Sequence, residues 1–220
     1  FINPDNALTK VSDAVARIGN YEWPQLETKT GAVLFKKIAE LTGDPYDPTN
    51  VKPLLKHFGP AVKMIGATIQ NTANPTMLEA GYKANVIPGS ASAVIDGRFL
   101  PGFEDDLHET IKRLAGPDIE VEFIARDIAL EVEFTGNLVK AMCDAITGED
   151  PEGIPVPYLM SGSTDNKALS ELGIIGYGFS PLKLPKELDF FALFHGVDER
   201  VPIEGLKFGV RVMYEFLENV

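Results

Sequence analysis

Asn85-Val-Ile-Pro-Gly-Ser-Ala-Ser-Ala-Val-Ile-Asp-Gly-Arg-Phe-Leu-Pro-Gly102 decides how the first half of this chain folds. Pro88 and Gly89 fix a turn. Residues 90–100 then alternate, with Ala91, Ala93, Ile95 and Phe99 on one side and Val94, Asp96 and Arg98 on the other. That period of two predicts a half-buried strand. Downstream, Phe103, Leu107, Ile111 and Leu114 share a helical face over 103–115, and Gly116 supplies its stop. Ile119, Val121 and Phe123 alternate again and predict a further strand. Upstream, the β-branched and apolar run at 62–70 also reads as β, and helices are predicted at 5–18 and 31–42. Residues 1–134 therefore read as an α+β module in which helices pack on an antiparallel sheet.

The last third has another texture. A helix at 137–147 leads to a strand at 155–160, a Gly/Ser turn, a short helix at 166–172 and a strand at 174–179. A His-containing turn and a terminal helix bearing Leu206, Val210, Met213 and Leu217 follow. This alternation is α/β, with too few strands to close a core of that type by itself. It sets residues 135–220 apart as a second unit.

The 220 residues, 45% hydrophobic and 24% charged, fit an ordinary globular protein. A net charge of −12 without a basic stripe argues against nucleic acid, and no apolar run has the length of a membrane span. The expected home is the cytoplasm. The single cysteine, Cys143, falls in the helix at 137–147 and reads as a packing residue. The chain opens on Phe1 rather than Met, in a loop-like Asn3-Pro4-Asp5, which suggests an excerpt of a longer polypeptide.

Three constellations carry chemistry. Asn85 and Arg98 offer an amide and a guanidinium fork suited to a carboxylate; Asp96–Arg98 pairing on the sheet surface accounts for the spacing equally well. The turn Ser161-Gly162-Ser163-Thr164-Asp165-Asn166-Lys167 follows a strand end, where α/β proteins bind ligands, and its amides and hydroxyls can hold an anion. Thr164 or Asp165 could equally cap the next helix. The third is His195, one of three histidines, on the turn Leu193-Phe194-His195-Gly196, with Glu199 four residues on. An imidazole there can ligate a metal. His57 has no partner at ligand spacing and reads as a surface or packing residue, and His108 reads as solvated among Asp105, Asp106 and Glu109.

In order and spacing, the stretches at 85–102, 161–181 (SGSTDNKALSELGIIGYGFSP) and 194–217 (FHGVDERVPIEGLKFGVRVMYEFL) resemble one family. It is the zinc-dependent amidohydrolase and exopeptidase family of aminoacylase, glutamate carboxypeptidase, acetylornithine deacetylase and succinyl-diaminopimelate desuccinylase. The opening FINPDNAL is similar to the start of that family's lid. The resemblance implies a ferredoxin-like lid, or dimerisation, domain at 1–134, followed by the C-terminal part of a zinc-exopeptidase α/β domain at 135–220. It implies two zinc ions in the parent, with cobalt or manganese as substitutes, a small peptide or N-acyl amino acid substrate, and a homodimer formed through the lid.

By motif position, the resemblance makes His195 the final metal ligand, and Asn85 and Arg98 the lid residues that bind the substrate carboxylate. It places Ser163, Thr164 and Asp165 in the turn lining the substrate pocket. Ser163 stands where the family usually has glycine, and Lys167 replaces a frequent arginine, giving a point charge in place of a fork. The remaining ligands and the Glu general base belong upstream of Phe1. The expected parent is a metal-assisted amide hydrolase, and this chain alone is expected to be inactive. The alternative is a non-catalytic dimerisation or binding module of the same descent.

Overall fold

The computed structural model describes residues 5–220; Phe1, Ile2, Asn3 and Pro4, with the loop and lid-start readings made on them, lie outside the described residues. The elements are α1 (Ala7–Gly19), α2 (Lys29–Thr42), a 3-10 stretch (Lys52–Ala61), α3 (Val62–Gly66), β1 (Thr72–Ala80), β2 (Ala91–Arg98), α4 (Glu104–Ala115), α5 (Asn137–Glu149), α6 (Asn166–Glu171) and α7 (Ile203–Glu218). They form two compact units. One holds the chain up to Leu26 together with Gln70–Ala129, the other Glu27–Ile69 together with Leu130–Val220. The helical segment at 27–69 thus groups with the C-terminal part, not with the hairpin that follows it in sequence.

In the first unit β1 and β2 form an antiparallel hairpin running from Thr72↔Arg98 to Ala80↔Ala91. Its register breaks between Pro75 and Met77, where proline has no N–H to give the ladder. Helices α1 and α4 pack on this hairpin through Ile18, Trp23, Ala73 and Leu107, joined by Ile95, Phe99, Ile111 and Leu114. The Asn6 side chain accepts from the N–H of Leu8 at 3.1 Å and so caps α1. Arg17 closes the other end of the unit: its guanidinium donates to the Leu114 and Ala115 carbonyls at 2.7 and 2.9 Å, where α4 leaves carbonyls unpaired. Asn71, with none of its surface exposed, joins the start of β1 to the β2–α4 connection. Its Oδ1 accepts from Leu100 N–H at 2.9 Å, and its Nδ2 donates to the Phe103 carbonyl at 3.0 Å and to Asp106 at 3.3 Å.

The order α1-β1-β2-α4 matches the interior of a β-α-β-β-α-β arrangement. Neither outer strand occurs among the described residues, whose only ladder is β1–β2. The alternating segment at 119–123 does not form the predicted strand. Its Phe123 lies against the His108 ring, centroids 4.6 Å apart, under the Arg126 guanidinium, which also pairs with Glu104 at 2.7 Å. His108 is consequently half-buried rather than solvated.

In the second unit α2 is capped by Thr28, whose hydroxyl accepts from Gly31 N–H at 3.0 Å, while the Glu131 carboxylate takes the Thr30 N–H at 2.6 Å. Leu34, Phe35, Ala39, Val51, Leu54, Ile65 and Ile69 make its first core, with Val156 packed against them. The run at 62–70 is therefore helical at its start, not β. Ile65 and Ile69 are buried four residues apart, and a short apolar run does not reveal its own period. His57, read as lacking a ligand-spaced partner, shares Asp44 with Lys56: its Nε2 lies 2.6 Å and the Lys56 Nζ 2.7 Å from Asp44 Oδ2.

Hydrogen bonds from Lys56 and then His57 hold the Asp44 carboxyl below its usual 3.8. A depressed folded value contributes stability above pH 3.8 that is lost as pH falls through the folded value. Asp44→Asn is expected to flatten the acid limb of a pH-dependent melting series and to leave its neutral limb parallel to the parent.

A second core joins α5 to α7 through Ala145, Phe208 and Val212, with Phe179 and Phe216 alongside. Here α7 presents Gly205 and Gly209 to the chain at 181–184, and a Cβ on Gly209 would collide with the Pro181 carbonyl oxygen. Gly209→Ala is expected to destabilise this unit by about 1–3 kcal/mol, the usual cost of overpacking a close contact. Gly148, in α5 with nothing near its missing Cβ, provides the opposite sign: Gly148→Ala should gain up to about 1 kcal/mol of helix propensity. Urea melts of the two variants check both values. The predicted strands at 155–160 and 174–179 carry no ladder among the described residues. Along α7, Ile203, Leu206, Val210, Tyr214 and Leu217 form an exposed apolar stripe opposite its buried face.

Candidate functional site

His195 lies on an exposed turn just after a short 3-10 turn at Phe191–Leu193. Its N-terminal support is local: Leu193 N–H donates to the Phe190 carbonyl at 3.2 Å, and Gly196 N–H to the Leu193 carbonyl at 3.0 Å. His195 takes φ +59, the sole non-glycine residue in left-handed backbone among those described. Histidine is one of the few residue types enriched there, yet the conformation still costs energy, and such residues collect at functional sites. The sequence reading missed this backbone strain. The following Gly196 is its only hint, since it marks a tight turn without saying which residue bends. Arg200 pairs with Asp198, and Glu199 is exposed.

The turn before α6 presents Ser163, Thr164 and Asp165 to solvent, with Lys167 half-buried in the first turn of the helix. Asp165 occupies the cap position without a side-chain cap bond, so capping does not explain its presence. Main-chain bonds hold the turn, from Lys167 N–H to the Thr164 carbonyl at 3.2 Å and from Leu169 N–H to the Asp165 carbonyl at 3.0 Å. Asn166 fills the space beside Gly176 and so ties the turn to the extended segment at 174–179.

Asn85 and Arg98 are not brought together within the first unit. Asn85 is exposed in the loop joining β1 to β2, and Arg98 ends β2. Seven strand steps at about 3.3 Å place the two ends of β2 roughly 23 Å apart. Arg98 Nε instead reaches Asp96, at 3.1 and 3.0 Å from its two oxygens, as surface pairing predicts. Cys143 sits partly buried in α5, and burial, then the Asp144 charge, pushes its thiol above the usual 9.0. That makes it a poor nucleophile at neutral pH.

Among the described residues no group of three or more His, Cys, Asp or Glu side chains could hold a metal ion. A catalytic zinc takes about three protein ligands plus water, and one exposed imidazole supplies a single bond. The donors present here do not by themselves fit a metal.

An α-β-β-α unit joined to a helical unit bearing a strained His turn and a hydroxyl-rich turn defines a class, and comparison with known proteins gives that class its family. Residues 3–118 match the M20 peptidase dimerisation domain, and the chain belongs to this family. It is 25% identical to a probable carboxypeptidase S-like 2 protein of Dictyostelium discoideum over 98% of this chain and 43% of that protein. It is also 25% identical to the human N-fatty-acyl-amino acid synthase/hydrolase PM20D1, over 79% of this chain and 35% of that protein. Similarity to the aminoacylase-1 of Pongo abelii reaches 31% over 59% of this chain and 32% of that protein. The fold is similar to that of an M20 family metallo-carboxypeptidase from Sulfolobus solfataricus, with a TM-score of 0.57 and 16% identity, covering 97% of this chain and 52% of that one. The chain thus spans about half, or less, of the length of these relatives.

Proposed function

We propose that this chain is the lid and the C-terminal part of the catalytic domain of a metal-dependent hydrolase. Its reaction is cleavage of an amide or peptide bond next to a carboxylate-bearing group, as in an N-acyl amino acid or a small peptide. The observation that carries the reading is His195, held on an exposed turn in left-handed backbone at the position where the family resemblance expects a metal ligand. A histidine held at energetic cost in water has more use as a ligand than as a packing residue.

In this reading the metal is zinc, and its remaining ligands and the general base come from residues outside this chain. Bound metal would supply Lewis-acid chemistry at the scissile carbonyl. The residues of this chain do the rest. Ser163 and Thr164 offer hydroxyls, and the turn's amides offer N–H groups, to the substrate's oxygen atoms. Arg98, once released from Asp96, and Asn85 bind the carboxylate; Lys167 adds a point charge. Asn85 lies in the loop before β2 and Arg98 at the far end of that strand, a separation that suits a site to which two copies of the lid contribute and so favours a homodimer. The intended setting is the cytoplasm. No described helix is long and apolar enough to cross a membrane.

A non-catalytic dimerisation or binding module is the second reading, supported by the match of residues 3–118 to the family's dimerisation domain. Hydrolysis assays of the complete protein on acetyl-, octanoyl- and peptidyl-amino acids separate the two. Turnover of any of them supports the hydrolase. No turnover of any, with no stoichiometric metal bound, leaves the module.

A further inference from the structure

The side chains around His195 are unusual for an exposed turn. Phe190, Phe191 and Phe194 form a closed triad, with ring centroids 6.0, 5.2 and 5.5 Å apart and all three pairs near edge-to-face. Each ring contacts the other two in the edge-to-face geometry aromatic pairs favour, so the three side chains form one apolar cluster. Phe194 nonetheless keeps 46% of its surface exposed, and Val197, on the other side of His195, is fully exposed. The candidate ligand is thus flanked in sequence by two uncovered apolar side chains.

Charge says which end of a substrate belongs there. Between residues 186 and 200 stand four carboxylates (Glu187, Asp189, Asp198 and Glu199) against two cations, Lys186 and Arg200. Arg200 is already engaged by Asp198. This turn repels a substrate carboxylate and tolerates an uncharged chain.

From these observations we infer that Phe190, Phe191, Phe194 and Val197 form the seat for the acyl chain of the substrate and set the preference for long apolar acyl groups over acetyl. This rests on the hydrolase reading and adds to it the residues that choose the acyl group. They are specificity residues; nothing in their chemistry moves a proton or a bond.

The test is the ratio of kcat/KM for octanoyl- over acetyl-amino acid, measured in the complete protein and in its Phe194→Ser, Phe194→Leu and Val197→Ser variants. A ratio cancels any loss common to both substrates. Phe194→Ser is expected to lower it about tenfold or more, the scale on which apolar pockets discriminate chain length. Phe194→Leu, which keeps an apolar side chain, should restore most of it, and Val197→Ser should lower it less. If Phe194→Ser fails to fold, the leucine and Val197 variants still read the ratio. Equal losses on both substrates, with the ratio unmoved, overturn the inference and assign Phe194 to contact with another protein segment. If the unaltered complete protein hydrolyses neither of these two but cleaves a peptidyl-amino acid, the acyl seat falls while the hydrolase reading stands; no turnover of any of the three removes both.

Discussion

In the complete protein, His195→Ala is expected to lower hydrolysis by more than about 100-fold, because loss of even an outer partner of a metal ligand costs about 10–100-fold. The structure supplies a control that separates function from folding. His195 sits at φ +59 on an exposed turn, a conformation glycine adopts without strain and asparagine tolerates. His195→Gly and His195→Asn should therefore melt at or above the temperature of the parent while being as inactive as the alanine variant. A residue kept for structure would show the reverse, with activity following stability. Bound metal, measured on the same preparations, should fall together with activity in all three variants. An active His195→Asn variant with unchanged metal content would remove His195 from the site.

The largest expected effect on stability is at Asn71. Its amide is fully buried, accepting from Leu100 N–H and donating to the Phe103 carbonyl and the Asp106 carboxylate. Asn71→Asp keeps the shape and the acceptor but replaces the donor with a second carboxylate oxygen, facing a carbonyl and another carboxylate. With the donor lost and a charge buried, the expected cost at neutral pH is about 3 kcal/mol or more. Protonation returns a donor, and both burial and Asp106 favour the protonated form. The deficit should thus shrink as pH falls and grow as it rises, the opposite of the Asp44 pattern. Asn71→Leu, which introduces no charge but leaves the Leu100 N–H unpaired, should cost about 1–3 kcal/mol without that pH dependence. Thermal melts between mildly acidic and neutral pH distinguish the three proteins. Equal stability of Asn71→Asp and the parent at neutral pH would mean that this staple does not hold β1 to the β2–α4 connection.

Helices were the legible part of this chain. α1, α2, α4, α5 and α7 each carry a one-sided apolar face, and Gly43 and Gly116 stop two of them. A strand is a relation between two segments, and period two names a face without naming a partner. β2 found β1, whereas 119–123, 155–160 and 174–179 alternate or run apolar and pair with nothing among the described residues. Asn71 carried no signal, since a buried amide is recognisable only by the groups that surround it. For the candidate site, motif order identified the family, but the separation of Asn85 from Arg98 and the left-handed backbone of His195 are matters of geometry. Phe190, Phe191 and Phe194 stood in plain view; only their mutual ring contacts make them one body.

The most direct measurement is hydrolysis of an N-acyl amino acid by the complete protein, followed through exhaustive chelation and then zinc replacement. A metal-dependent hydrolase predicts activity that falls to background as metal is withdrawn and returns with added zinc, with no recovery in His195→Ala. Full turnover by protein shown to be metal-free would contradict the account, and the role assigned to His195 would go with it.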